Sequence, residues 1–420
     1  MKLDTKKRKK ARKGLEQVYG HRELTQRMFT ILQTGKQGLD ALQMELGVML
    51  CETIMDMERE ALSGPDWSPS SKGVYKWAYQ PGSVYLGDQK IRVRHPRLRG
   101  PQGEIHLSSY SQLKQPGSFS EEMLGRVLRG ISCRRYGETV IDAARSFGVS
   151  ASSISNRIVE ATSRKLKEFK ECNLSELNIF AIFIDTIHRA QDAFIVALGV
   201  DHSGEKHPLG FWQGATENSD ICRELFADMQ ARGLTFGKKT LWVTDGGKGI
   251  IKALRESFGT KLLHQRCTIH KDRNIQKHLP KRYRKMAHRH FTVALEQNSY
   301  ADARQMLLDF EKWLRSINES AGDSLREALE DILTLHRLKV PALLRKTLTS
   351  TNPIENMFST VRDCEANIKR YRSSAMSQRW LAAVLLHCKK GFRRIKGYAD
   401  IADLLITIEQ HFGEETVNAA

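Results

Sequence analysis

The stretch Ile179-Phe-Ala-Ile-Phe-Ile-Asp185-Thr-Ile187 is a near-continuous apolar run that is broken only by an aspartate and a threonine. Short apolar runs of this kind are typical of strands buried inside a sheet. A second apolar run follows at 193–200 and a weaker third at 208–213. The sequence therefore predicts that a buried sheet begins with three consecutive strands.

The elements after these runs alternate between helix and strand. We predict a helix over about 219–232, a strand at 240–244, a helix from about Lys248 and a short strand at 262–263. Three strands followed by helix, strand, helix and strand is the order of an RNase H-like mixed sheet. Residues 276–345 show helical patterns and a strongly basic start, which predicts an all-α insertion in an α/β core.

A chain of 420 residues is expected to form two to four domains. We divide it into six segments: a basic arm and helical region at 1–70, a small β-rich segment at 71–117, a helix-turn-helix region at 118–174, the first part of the core at 175–275, the helical insertion at 276–347, and the helical second part of the core at 348–420.

The charge of the chain indicates a polyanionic partner. Lysine and arginine number 67 against 48 acidic residues, a formal net charge of +19, which is typical of proteins that bind nucleic acid, although a basic but otherwise ordinary enzyme is the alternative. No apolar run is long enough to span a membrane, and the N-terminus lacks the apolar core of a signal peptide. Seven cysteines without a CxxC pair fit a reducing compartment. We expect a cytoplasmic protein associated with the bacterial nucleoid and not with membranes.

Three segments before the core are candidates for DNA binding. The basic run 6–13 is a DNA-binding arm, a nuclear signal or a solvated tail. A predicted hairpin around Gly87-Asp88 carries arginines on its second strand, where they would follow a phosphate backbone or form a solvated face. The offsets among Ala144, Gly148 and Ile154 match a helix-turn-helix, or an ordinary helical hairpin. Candidate DNA contacts in the last two segments are Arg97, Arg99, Ser153, Asn156 and Arg157.

Three carboxylates carry the candidate chemistry. Asp185 interrupts an apolar strand, where an unpaired charge is costly, so it is expected to be paired, hydrogen-bonded or metal-bound. Asp245 ends the next clear strand and precedes Gly246-Gly247, although an aspartate at a strand end often only caps a helix. Glu355 follows Asn352-Pro353, which also fits a helix start with Asn352 as cap and Glu355 as its capping-box partner.

Carboxylates from three separate segments suit a site for two Mg²⁺ ions, because Mg²⁺ prefers carboxylate and water oxygens and keeps positions open for phosphate. Two such ions about 4 Å apart activate an attacking oxygen and stabilise a leaving one. Mn²⁺ is expected to substitute for Mg²⁺. Cys267 and His270 form half of a zinc motif, but a structural zinc site needs four ligands, and packing or DNA positioning beside Asp245 is the alternative.

The motifs together resemble the Mutator-like DDE transposases, in the branch found in bacterial insertion sequences. The matching pieces are Phe183-Ile-Asp185, Val243-Thr-Asp-Gly-Gly-Lys-Gly249, Gln265-Arg-Cys-Thr-Ile-His-Lys-Asp-Arg-Asn274 and Ser350-Thr-Asn-Pro-Ile-Glu355, with Pro96-Arg-Leu-Arg-Gly100 upstream. The resemblance covers roughly residues 70–395. This sequence departs from the family at the first motif, where Thr186 follows the aspartate and glycine is common.

The resemblance implies that Asp185, Asp245 and Glu355 bind the metal ions and that Cys267 and His270 shape the active site. It implies a transposase that binds the terminal inverted repeats of its element and cuts and joins DNA, including target DNA, as a homodimer. Further candidate DNA contacts are Arg273, Trp313 and Arg362. The alternative for Trp313 is a core aromatic, and the alternative for Arg362 is a solvated surface charge. Two other functions remain open: a catalytically inactive DNA-binding relative, and a metal-dependent nuclease without strand transfer.

Overall fold

A computed structural model of the chain describes most residues from 26 onward. The described residues are 26, 28–31, 33, 39–66, 73–86, 89–115, 121–129, 151–189, 192–214, 218–237, 239–259 and 262–417. Contacts divide them into two units, one up to Ala161 and one from Thr162. The predicted arm at 6–13, the Gly87-Asp88 turn, and Ala144 and Gly148 of the predicted helix-turn-helix lie outside the described residues.

The first unit combines a long helix with a small antiparallel sheet. Helix α1 (Leu39–Ser63) precedes strands β1 (Tyr75–Leu86), β2 (Gln89–Gly100) and β3 (Gly103–Ile105), which pair in that order. Helices α2 (Ser108–Leu113) and α3 (Glu121–Leu128) follow, and α4 (Ala151–Glu171) begins in this unit. The paired strands β1 and β2 have 12 residues each, longer than the short strands that the sequence predicts.

The sheet of this unit buries one face against α1. Val84, Ile91, Val93 and Leu98 form a core with Val48, Cys51 and Met55 of the helix. Alternate residues of a strand point to opposite faces, so Arg92, between Ile91 and Val93, is exposed on the other face. The Arg94 guanidinium instead lies 4.0 Å from Asp56 of α1.

The second unit contains a five-stranded mixed sheet. Strands β4 (Ile179–Arg189), β5 (Asp192–Asp201) and β6 (Lys206–Gly214) are antiparallel neighbours. Strands β7 (Leu241–Thr244) and β8 (Leu263–Arg266) add to the other side of β4 in parallel, giving the order β6-β5-β4-β7-β8. The three consecutive strands predicted from the apolar runs are therefore confirmed as elements of one sheet, whereas the last strand is longer than predicted and ends at Arg266.

Two helices cover one face of this sheet. Helices α5 (Ser219–Ala231) and α6 (Lys248–Phe258) pack on Ile182 and Ile184 of β4 and on Trp242 of β7 in a single apolar core. Trp242 is fully buried, and its ring stacks on Phe258 at 5.1 Å between ring centroids. Since side chains alternate along a strand, the odd-numbered residues of β4 and β7 face the opposite side of the sheet.

A run of helices separates β8 from the last part of the chain. These helices are α7 (Thr268–Lys277), α8 (Lys281–Leu295), α9 (Tyr300–Ile317), α10 (Glu319–Arg326), α11 (Leu329–Ile332), α12 (Thr334–Arg337) and α13 (Ala342–Leu348). Helices α7 to α11 share an apolar core of their own, built on residues such as Phe291, Leu307 and Leu325. The described residues between 276 and 345 contain no strand, as the sequence predicts.

The C-terminal helices return to the sheet. Helix α14 (Asn352–Glu365) contacts β4, and α15 (Ser374–Lys389) contacts α14 and β6. A 3₁₀ turn (Tyr398–Asp400) leads into α16 (Ile401–Val417). A buried ion pair fixes α14 to the end of β4: Arg189 donates to Glu365, 2.5 Å away, and to the carbonyl of Ser377 at 3.0 Å.

Two further observations concern composition. Six of the seven cysteines lie in the described residues, and all six are free thiols. Among the helices that the structure describes, none combines the length and the apolar composition needed to cross a lipid bilayer.

Candidate active site

Two of the predicted carboxylates lie side by side at the ends of neighbouring strands. Strands β4 and β7 are parallel, and Phe183 pairs with Val243 and Ile184 with Thr244. Asp185 and Asp245 are the next residues in this register, so the sheet itself brings them together. Both share the odd-numbered face with Phe183 and Val243, opposite the core under α5 and α6.

Backbone amides hold both aspartates. Asp185 Oδ1 accepts a hydrogen bond from the Thr186 amide at 2.8 Å, and Asp245 Oδ1 accepts from the Gly247 amide at 2.9 Å. Both side chains are partly exposed rather than sealed in the core. Gly246 has φ +91°, a conformation that favours glycine, and it lets the chain turn sharply after Asp245.

The surroundings of Asp185 concentrate negative charge. The pKa of Asp185 is raised to about 7: burial is the largest cause, the charges of Asp245 and Glu355 add to the rise, and the Thr186 amide and His270 oppose it. Asp245 and Glu355 therefore both lie within electrostatic reach of Asp185. A divalent cation would compensate this accumulated charge.

Glu355 enters the site from the first turn of α14. This helix begins at Asn352, its N-cap is Thr351, and Pro353 occupies the second position. The prediction of Asn352 as the cap is wrong by one residue, and the capping-box alternative does not form. Instead the Thr351 hydroxyl donates to Glu355 Oε1 at 2.6 Å, which leaves the carboxylate in the site and partly exposed.

Cys267 and His270 lie beside Glu355. Cys267 Sγ is buried, accepts from the Thr351 amide at 3.4 Å, and lies 3.4 Å from the Thr351 hydroxyl oxygen, whose single hydrogen is donated to Glu355. His270 Nε2 is 3.9 Å from Glu355 Oε1, and its Nδ1 is 3.4 Å from the Thr351 hydroxyl. Donor atoms of Cys267, His270 and Glu355 all lie within 4.8 Å of one another.

The surroundings of Cys267 and His270 shift the pKa of each group towards its charged form. Contact with the Cys267 thiol, opposed by burial and helped by Glu355 and Asp185, raises the pKa of His270. Burial raises the pKa of the Cys267 thiol, but hydrogen bonds from His270 and Thr351 outweigh it and leave that pKa below its usual value. Both shifts favour the charged forms, the imidazolium of His270 and the thiolate of Cys267.

The donor chemistry distinguishes two possible metal sites. Asp185, Asp245 and Glu355 supply carboxylate oxygens, the ligands that Mg²⁺ and Mn²⁺ prefer. A tetrahedral zinc site would need a fourth donor beside Cys267, His270 and Glu355, and among the described residues no further His, Cys, Asp or Glu donor lies within 4.8 Å of all three. The three carboxylates offer the type of donor that hard divalent cations prefer.

A second cluster of possible metal donors is part of a turn. Asp201 Oδ1 accepts from the amides of Ser203 and Glu205, each at 2.9 Å, and Asp201 Oδ2 is 2.8 Å from His207 Nε2. These bonds account for the geometry of the β5–β6 connection.

The structure gives the predicted DNA contacts different surroundings. In the first unit, Arg99 is exposed, and Arg97 donates two hydrogen bonds to Glu104 while its guanidinium lies 4.2 Å from the Trp77 ring centre. Asn156 is exposed on α4, whereas Arg157 is buried with its guanidinium 5.4 Å from the Tyr85 ring, unlike the free side chain expected of a DNA contact. Ser153 belongs to the same helix, α4.

The remaining candidates belong to the second unit. Arg273 and Arg362 are exposed, on α7 and α14. Trp313 is half-buried in an aromatic cluster, with its ring centre 5.2 Å from that of His290 and 5.9 Å from that of Phe310. This packing agrees with the alternative interpretation of Trp313 as a core aromatic.

Sequence reasoning missed the residues that support the site. Thr351 connects Cys267, His270 and Glu355, although the motif containing it was recognised. Thr244 and Arg266 lie next to recognised residues and contact the turn after Asp245. Each lies inside one of the family motifs, and that position is the signal that could have marked it.

Comparison with known families defines the class of protein. A family model described as "Transposase, Mutator family" matches residues 39–394. Because this match covers most of the chain, the chain belongs to the Mutator family of transposases, and the resemblance drawn from the motifs is confirmed. Transposases as a class cleave DNA strands and transfer them.

Individual relatives come from bacterial insertion sequences. The transposase of element IS1201 from Lactobacillus helveticus is 25% identical over 282 residues, covering 65% of this chain and 73% of its own length. The transposase of IS6120 from Mycolicibacterium smegmatis is 30% identical over 226 residues, covering 51% and 67%. The transposase of IS256 in transposon Tn4001 from Staphylococcus aureus is 26% identical over 279 residues, covering 63% and 68%.

Proposed function

We propose that this chain is an active DDE transposase of an insertion sequence, and that Asp185, Asp245 and Glu355 hold two divalent cations, Mg²⁺ or Mn²⁺, at the site of DNA cleavage and strand transfer. The observation that carries the proposal is the parallel pairing of β4 with β7, which sets Asp185 beside Asp245 on one face. The charges of Asp245 and Glu355 both contribute to raising the pKa of Asp185, which supports a shared site.

When bound, the cations would activate the attacking oxygen, water for cleavage or a DNA 3′-hydroxyl for strand transfer, and stabilise the leaving one. The residues of the chain prepare this site beforehand. The amides of Thr186 and Gly247 orient the two aspartates, and the Thr351 hydroxyl orients Glu355. Such fixed orientation lowers the cost of assembling the site around phosphate.

Cys267 and His270 act as supports in this proposal. The Thr351 amide donates to Cys267 Sγ, and the Thr351 hydroxyl, whose oxygen also contacts this sulfur, donates to Glu355. The Thr268 amide also donates to the carbonyl of Thr349 at 2.9 Å, which ties the start of α7 to the segment before α14. These bonds hold Glu355 in place relative to β8.

The sheet order supports an RNase H-like core, in which three antiparallel strands are followed by two parallel ones. We assign residues 175–275 and 348–420 to this core, 276–347 to its helical insertion, and the segments before 175 to recognition of the terminal inverted repeats. The exposed side chains of Arg99 and Asn156 suit contacts to phosphates or bases in the first unit, and Arg273 and Arg362 suit contacts near the active site. The enzyme would act at the nucleoid, as a homodimer on paired DNA ends.

The test is cleavage of labelled DNA that carries the terminal repeats of the element, in Mg²⁺, by wild type and by Asp245→Asn. We expect the variant to bind the DNA and to lose cleavage and joining. Equal cutting by both proteins would refute the triad. Wild-type binding without metal-dependent cutting would indicate an inactive DNA-binding relative, and cutting without joined products a nuclease.

A further inference from the structure

We propose that Asp331 and Glu327, which lie in the helical segment between β8 and α14, are positioning residues for the metal-binding carboxylate of Asp245. They touch neither metal nor DNA in this proposal, and they act through two chains of contacts that end at Gly246. The inference rests on the proposed role of Asp245 as a metal ligand.

The first chain of contacts runs through His264 and Thr244. Asp331 Oδ2 is 3.4 Å from His264 Nδ1, and His264 Nε2 is 2.9 Å from the Thr244 hydroxyl. That hydroxyl oxygen accepts a hydrogen bond from the Gly246 amide at 3.2 Å. Thr244 is fully buried and His264 nearly so, so these bonds form away from water.

The direction of the hydrogen bonds follows from the carboxylate at the end. An ionised Asp331 only accepts, so it selects the His264 tautomer that carries hydrogen on Nδ1. His264 Nε2 then accepts from the Thr244 hydroxyl, which leaves a Thr244 lone pair for the Gly246 amide. Without Asp331 the ring loses this preference, and the Gly246 amide loses a fixed acceptor.

The second chain of contacts runs through Arg266. Its side chain is 8% exposed, and NH1 lies 3.3 Å from Glu327 Oε1. The guanidinium fills the space beside Gly246, because a Cβ built on that glycine would lie 1.9 Å from Arg266 Nε. Glu327 Oε1 also accepts from the fully buried Lys271 at 2.8 Å, so one carboxylate neutralises two buried cations.

The helical segment that contains Glu327 and Asp331 can influence the Asp245 turn because it covers β8, the edge strand of the sheet in the described residues. The Thr334 hydroxyl donates to the His264 carbonyl at 2.5 Å, and the Gln265 amide group donates to the Ile332 carbonyl at 3.1 Å and accepts from the Leu335 amide at 3.2 Å. Three consecutive residues of β8 therefore bind residues 327–335. Through these contacts, the position of the 327–335 segment affects the turn after Asp245.

The experiment measures Mn²⁺ binding to the full-length protein by calorimetry, with no DNA present. The variants are Asp331→Asn, Glu327→Gln, Asp245→Asn and the control Glu330→Gln. Glu330 is adjacent to Asp331 and also accepts hydrogen bonds, from the Tyr300 hydroxyl at 2.6 Å and from Arg304 at 3.0 Å, but it binds α9 and not β8. Thermal melting of each variant shows that it is folded at the temperature used.

We expect Asp331→Asn to weaken Mn²⁺ binding about tenfold, the low end of the range for residues that orient metal ligands, and Glu330→Gln to leave it unchanged. Because Asp331 acts through Thr244, Asp331→Asn should add no further loss to Thr244→Val. Glu327→Gln strips two buried cations of their partner and should lower the Tm, so the decisive variant is Asp331→Asn.

The outcomes separate this inference from the proposed function. If Asp245→Asn binds Mn²⁺ as well as wild type, the triad itself fails. If Asp245→Asn loses binding while Asp331→Asn matches Glu330→Gln, the positioning role is overturned and the triad survives. A loss with Asp331→Asn that adds fully to the loss with Thr244→Val would also overturn it.

Discussion

Replacing Gly246 by alanine tests how the turn after Asp245 is built. Gly246 has φ +91°, and an added Cβ would meet Arg266 at 1.9 Å from Nε and 2.6 Å from Cζ. The backbone strain costs about 1–2 kcal/mol. Arg266 is buried and paired with Glu327, so moving it adds about 2 kcal/mol more for a disturbed buried pair.

The expected total of about 3–4 kcal/mol corresponds to a fall in Tm of roughly 6–16 °C for a unit of this size. The matched control is Gly259→Ala, because Gly259 has φ +82° and nothing within 4 Å of its added Cβ. It should lose only the strain, about 1–2 kcal/mol. Differential scanning calorimetry measures both, and equal Tm values for the two variants would refute the clash with Arg266.

Three other predictions follow from buried groups. Arg189→Met should lower the free energy of unfolding in urea by about 3–5 kcal/mol. The Arg189 side chain is 3% exposed, so its loss leaves the Glu365 carboxylate buried without its cation. Thr351→Val should lower DNA cleavage more than stability, because Glu355 loses the hydroxyl that donates at 2.6 Å. Asp185→Asn should raise the Tm of the metal-free protein at pH 8 but not near pH 4. The reason is that the pKa of the Asp185 carboxyl is raised from 3.8 to about 7, so its ionisation lowers the stability of the wild type as pH rises through that range.

Each of these has its own control. Lys312→Met breaks an exposed pair with Asp309 and should change stability by less than about 1 kcal/mol. Thr351→Ser keeps the hydroxyl and should retain most cleavage activity. Adding Mn²⁺ at pH 8 should reverse the order of wild type and Asp185→Asn, and an Asn variant that melts below metal-free wild type at pH 8 would contradict the charge argument.

The core sheet could be predicted because its signals are local. The apolar runs at 179–187, 193–200 and 208–213 are strands buried in the sheet, and each one shows in the sequence without reference to distant residues. The same holds for Asp185 and Asp245, because parallel strands that end in aspartates place them at the same edge. Glu355 came from a motif, since nothing local shows that α14 returns to β4.

The supports of the site could not be predicted, because they depend on contacts between distant segments. Thr351 reaches Cys267 across 84 positions in the sequence, and Gln265 reaches Ile332 across 67. The pattern of Asn352, Pro353 and Glu355 predicts Asn352 as the N-cap of α14, yet the N-cap is Thr351, whose hydroxyl donates to Glu355. The Thr351 amide also donates to Cys267 Sγ, a contact between distant segments that the local pattern does not show.

The measurement that tests the central claim most directly is an anomalous difference map from crystals of the protein soaked in Mn²⁺, with terminal-repeat DNA bound. We predict two peaks about 4 Å apart, with Asp185, Asp245 and Glu355 among their ligands. A single peak on Cys267 and His270, or peaks that leave Asp245 without a metal contact, would contradict the account.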